Sequence, residues 1–124
     1  MLPGLIFTGM EQFSEQASIF INDSARAWEA AGDGVRRKIM AWEERAMLVK
    51  VAFESGAIGA LHQHPHAQLT HIESGVFEVE IEGVKQFLKA GDAFRIPADA
   101  VHGVVCIEAG VLIDFFSPMR ADFL

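Results

Sequence analysis

From Gly75 to Gly83 the chain reads GVFEVEIEG, with Phe77, Val79 and Ile81 alternating against Glu78, Glu80 and Glu82. A period of two places the apolar side chains on one face of a strand and the carboxylates on the other, as in a half-buried antiparallel strand. Strand-like runs fill the chain from Val35 onward. VRRKIMAW and AMLVKVAF flank EER and predict a hairpin, SGAIGA predicts a turn, and KQFLKAGDAFRIP, HGVVCIEAG and VLIDFFSP predict further strands. Short strands spaced by roughly 8–12 residues predict an all-β barrel or sandwich. Residues 1–33 have mixed patterning and end in AAGDG, a turn signal, so they read as an N-terminal extension ahead of one domain over residues 34–124. Within the extension INDSARAWEAA offers Asn, Asp and Ser as caps and predicts a short helix. The apolar pieces LPGLIF and ASIFI have no place in a minimal barrel, and they are expected at a contact between two copies of a homodimer.

Composition changes this picture mainly by exclusion. The chain has 124 residues, 51% of them hydrophobic and ten of them Phe, enough for one core. A net charge of -7 argues against a nucleic-acid partner, which rewards clustered Lys and Arg. No apolar run approaches the roughly 20 residues of a membrane span, so no membrane partner is expected. The opening MLPGLIFTGMEQF lacks a basic region ahead of its short apolar piece, and the lone Cys106 forms no internal disulfide; both predict a cytoplasmic protein. There is no Tyr, which leaves proton chemistry to His, Asp, Glu, Lys, the thiol or a metal-bound water.

Four of the five histidines lie in HQHPHAQLTH, from His62 to His71. Residues two apart on a strand face the same way, so His62 and His64 converge as ligands of one ion must. If the strand resumes after Pro65, Gln68 keeps their parity while His71 and Glu73 take the other. A rival set of His64, His66 and His71 is geometrically open, and spacing alone does not choose. A second feature is Asp114, set in the apolar run VLIDFFSP and sharing a face with Leu112 and Phe116. A buried carboxylate is costly when unpaired and has its pKa raised, and beside a cleft it is a candidate general acid or base. The plainer reading is an aspartate that accepts backbone hydrogen bonds.

Gly56, His62, His64, Gln68 and Gly75 resemble the first cupin motif, G-x5-H-x-H-x3-E-x6-G, at every interval, with Gln68 where most cupins have Glu. Gly91, Pro97, Asp99 and His102 resemble the second, G-x5-P-x-G-x2-H, with Asp99 in place of its second Gly. The resemblance implies a single-domain double-stranded β-barrel, or jelly-roll, holding one divalent transition metal on His62, His64, Gln68 and His102. Zn, Ni, Fe, Co and Mn all suit this ligand set. A neutral Gln68 leaves the ion its full charge, which favours Lewis-acid work over a higher oxidation state.

The tail GVVCIEAGVLIDFFSPMRADFL and the lead-in GVRRKIMAWEERAMLVKVAFESGAIGALHQHPHAQ are similar to the small cupins called pectin degradation proteins. That likeness implies an active site containing Asp114, Phe116 and Arg120, and ketonisation of 4,5-unsaturated uronate monomers left by pectin or alginate lyases. Asp114 would move the proton that ends on C4, Arg120 would bind the uronate carboxylate, and Phe116 would wall the sugar ring. A metal-dependent cupin dioxygenase and a non-catalytic sugar-acid-binding cupin are the competing classes. His66 reads as a residue at the rim of the site, and Arg36, Arg37, Lys38 and Arg95 read as a solvated face before they read as substrate contacts.

Overall fold

In the computed structural model, which describes residues 19–124, eight strands form one antiparallel sheet that folds back on itself. In chain order they are β1 (Glu29–Gly32), β2 (Val35–Glu43), β3 (Ala46–Phe53), β4 (Ile58–His62), β5 (Ala67–Ile81), β6 (Val84–Lys89), β7 (Ala93–Ile96) and β8 (His102–Ser117). The hairpin expected around EER is present as β2 and β3, paired from Val35↔Phe53 to Glu43↔Ala46.

Two long strands organise everything else. The first half of β5 pairs with β7 and with the second half of β8, which also pairs with β3. Beyond Ser74 and Gly75, β5 pairs with β6 and with the first half of β8, which also pairs with β4. The sheet is thereby bent into two layers, β1-β2-β3-β8-β5-β7 and β4-β8-β5-β6, with β5 and β8 running through both. Register shifts between Ile72 and Phe77 mark the corner, as bulges do when a strand changes sheets. The layers face one another across Val35, Phe53, Ile72, Phe77, Val79, Cys106 and Leu112, a buried cluster with members from both. Of the alternation in GVFEVEIEG, Phe77 and Val79 are buried as expected, whereas Ile81 and the intervening Glu78 and Glu80 are all half-buried; Glu82 is exposed in the turn after β5.

The extension differs from its sequence pattern. Where INDSARAWEAA predicts a short helix, the chain makes one 3-10 turn at Asp23–Ala25 and then β1. β1 pairs with β2 through Glu29↔Arg37 and Ala30↔Arg36, so it covers backbone groups of β2 that would otherwise form a bare edge. That pairing outweighs the helix preference of Glu and Ala. LPGLIF lies outside the described residues; of ASIFI, Ile19 and Phe20 are described and exposed. Among the described residues no helix is long and apolar enough to cross a membrane.

Candidate active site

Imidazoles from three separate places along the chain converge. His62 closes β4, His64 lies in the turn between β4 and β5, and His102 opens β8, where it pairs with His62. Their possible ligand atoms all lie within 4.8 Å of one another. Each ring is anchored through Nδ1 to a backbone carbonyl: His62 to Ala60 at 2.8 Å, His64 to His66 at 2.9 Å and His102 to Ala100 at 2.9 Å. A carbonyl only accepts, so these partners assign the proton to Nδ1 and leave Nε2 of a neutral ring as a lone pair. Burial lowers the pKa of His64, with help from the Arg120 charge, and burial lowers that of His102 to about 4. Both rings are therefore neutral at pH 7.

The consequence is an unmet demand for positive charge. His102 Nε2 is buried without a hydrogen-bond partner. His64 Nε2 faces Gln68 Oε1 at 3.1 Å, although both atoms are acceptors once Nδ1 holds the ring proton. Converging lone pairs without a proton between them suit a shared cation, and backbone-anchored imidazoles are how proteins aim metal ligands. The three histidines could hold a metal ion, and the donor set fits one.

Gln68 links this cluster to the carboxylate. Its Nε2 donates to Thr70 Oγ1 at 2.9 Å and to Asp114 Oδ1 at 3.3 Å, while Thr70 Oγ1 donates to the same Oδ1 at 2.6 Å. The contacts follow from register, because Thr70 on β5 sits opposite Asp114 on β8, and Gln68 opposite Phe116. Asp114 is buried, and burial pushes its pKa from the usual 3.8 up to about 6, against the pull of the Thr70 and Gln68 bonds and the Arg120 charge.

A cavity of about 510 Å³ opens between the layers, lined by His62, Gln68, His102, Asp114, Phe116 and Arg120 among others. The Phe116 ring lies 5.7 Å from that of His64. The Arg120 Cζ sits 5.0 Å from the Phe116 ring centre and 4.3 Å from that of Phe123. All seven residues singled out from the sequence thus gather at one site, but Gln68 arrives by a different route. Strand parity does not carry through Pro65; β4 stops at His62 and Gln68 belongs to β5. His71 is exposed on the outer face of β5, so it does not join His64 and His66. His66 is half-buried beside His64, with its Nδ1 buried and unpartnered. Arg36 is exposed over the Trp28 ring, Lys38 is buried beneath Asp23 and Trp28, and Arg95 is exposed. Sequence reasoning passed over Thr70, although QLT already placed it on the face of Gln68. It also passed over Phe123, which no periodicity marks, and the inward position of Arg37, which shares parity with Val35.

The chain matches the Cupin domain family over residues 49–116. It is 51% identical over 107 residues to the pectin degradation protein KdgF of Dickeya dadantii (strain 3937), covering 85% of this chain and 96% of that one. Among solved structures it resembles KdgF from Halomonas sp., with a TM-score of 0.83, 41% identity and coverage of 87% and 100% of the two chains. An RmlC-like cupin from Shewanella frigidimarina superposes with a TM-score of 0.85 at 38% identity, covering 88% and 98%.

Proposed function

The chain belongs to the cupin family, and from that premise we propose that it ketonises 4,5-unsaturated uronate monomers released in pectin or alginate breakdown. The observation that carries the reading is Asp114: a buried carboxyl held near neutrality, bonded to Gln68 and Thr70, on the same cavity as the imidazole cluster and Arg120. Likeness to two proteins named KdgF, one of them a pectin degradation protein, supports the substrate class.

The reaction balances within one molecule. The O1 proton leaves as the C1–O5 bond breaks, C1 becomes an aldehyde, and the resulting enolate takes a proton at C4 while O5 becomes a keto oxygen. No oxidant or co-reactant enters. Held by His62, His64, Gln68 and His102, a divalent ion such as Zn, Ni, Fe, Co or Mn would supply Lewis-acid stabilisation of the oxygens that gain charge. Asp114 delivers the proton to C4 through Oδ2, the oxygen that the Thr70 and Gln68 bonds do not engage. A pKa near 6 suits a group that must both give and regain a proton near neutrality. Arg120 offers its planar fork to the uronate carboxylate, and Phe116 lies against the ring. The buried Cys106 fits a reducing cytoplasm. A second copy of the chain is the partner that fits the outer face, where Leu48, Phe115 and Leu69 are exposed on neighbouring strands.

The test uses metal-loaded protein and freshly made lyase product. The ultraviolet band of the C4–C5 double bond should decay faster with protein than without it, and no oxygen should be consumed. Decay at the protein-free rate would remove the activity, and oxygen uptake would favour the dioxygenase class.

A further inference from the structure

Arg37 takes no part in the chemistry above, yet it lines the same cavity as Asp114 and Arg120. The alternation of β2 turns Val35 and Arg37 to the inside, and only 26% of the Arg37 side chain is exposed. Its Cζ lies 3.9 Å from the Phe123 ring centre, and the Arg120 Cζ lies 4.3 Å from that same centre. Two cations brought to one ring repel each other, and stacking on the ring recovers only part of that cost.

Each guanidinium is meanwhile engaged by a carboxylate of its own chain. Arg37 Nε meets Glu29 Oε1 at 2.7 Å, while Arg120 meets Asp122 through Nε at 3.1 Å and Nη2 at 2.9 Å. Those acidic side chains are 48% and 59% exposed. Ion pairs with so much water around one partner contribute little, so either carboxylate can be exchanged for another at small cost.

We propose that Arg37 and Arg120 form a paired-arginine site for the substrate carboxylate, in which Glu29 and Asp122 stand in for that carboxylate while substrate is absent. Phe123 is a positioning residue that sets the spacing of the two forks. The identity of the acid as a uronate rests on the ketonisation reading; the site itself requires only a carboxylate on a sugar-sized body. The Arg120 charge also acts on the Asp114 carboxyl, whereas Arg37 reaches the shared Phe123 ring from β2 and selects for charge. A residue that only staples β1 to β2 would behave differently, and the two roles predict opposite signs for Glu29.

The experiment is calorimetric binding of galacturonate, a saturated uronate that cannot ketonise, with galactose as its neutral counterpart. The full chain is used in wild-type, Arg37→Gln, Arg37→Lys and Glu29→Gln forms. Wild type should prefer galacturonate. Arg37→Gln should weaken that binding by roughly 10- to 100-fold, the range for a charged hydrogen-bond partner. In turnover the loss should fall on KM, with kcat nearly unchanged. Arg37→Lys should recover part of the affinity, since it restores charge but not the fork. Glu29→Gln removes the internal competitor and should tighten binding about 2- to 5-fold. The proposal is overturned by wild-type affinity in Arg37→Gln, by weaker binding in Glu29→Gln, or by a wild type that binds galactose as well as galacturonate. A wild type that binds galacturonate through Arg37 but leaves the unsaturated monomer untouched would overturn ketonisation and leave the arginine pair standing.

Discussion

At the scale of single residues the site is a chain of donors and acceptors running from His64 through Gln68 to Asp114. Asp114→Asn keeps the shape of this chain and removes the exchangeable proton. Metal content, measured by elemental analysis, should stay at the wild-type level while kcat falls by ~10²–10⁴-fold. A metal-loaded Asp114→Asn protein that turns over at the wild-type rate would remove Asp114 from the mechanism. The same substitution has a signature in stability. Because the folded pKa of Asp114 lies near 6, above its usual 3.8, this carboxyl stabilises the fold below pH 3.8 and loses that contribution as pH rises through 6. In metal-free protein, wild type should therefore lose stability relative to Asp114→Asn between those pH values, by on the order of 2–3 kcal/mol. Chemical denaturation at pH 4 and pH 7 checks the sign; the titrations of His64 and His102 are common to both proteins and drop out.

At the scale of elements the corner between the layers is the most constrained point. Gly75 has φ +88°, and a Cβ there would lie 2.6 Å from the Glu108 carbonyl oxygen and 2.7 Å from the Gly110 Cα. Gly75→Ala should cost roughly 1–3 kcal/mol from backbone strain alone, with the collision adding more, and urea midpoints would show it. Unchanged stability would mean that the corner relaxes without cost. Gly75 entered the sequence reading only as a motif letter, and the structure supplies its physical reason. Asp99 is a parallel case. It stands where the second motif has Gly, it adopts φ +65°, and its N–H donates to the His64 carbonyl at 2.8 Å. Aspartate tolerates that left-handed conformation better than most residues, so the exchange preserves the turn. Strands were legible because alternation is local. β1 was not, because its pairing with β2 outweighs the local helix signal. The division of β5 and β8 between two layers was not, because bulges leave no periodic trace. Asp114 was legible as a polar residue inside an apolar run; its partner Thr70 becomes visible only once β5 is laid beside β8.

At the scale of the whole molecule an acidic chain presents an apolar outer patch on β3, β8 and β5. Exposed Leu48, Leu69 and Phe115 predict a homodimer at micromolar concentration, measurable by sedimentation. Leu69→Glu should shift the mass toward the monomer, and a monomeric wild type would rule the assembly out. The bent strands have another consequence. Since β5 and β8 thread both layers, neither layer can swing away from the other as a hinged jaw does without breaking its own pairing. Opening of the barrel is thereby confined to local fraying at its edge strands, while separation of the two layers would break the pairing of β5 with β8. Under the proposed function, passage of a sugar acid would then fall to the few side chains at the rim, and its residence time would depend on Arg37, Arg120 and Phe123 rather than on a hinged motion of the scaffold.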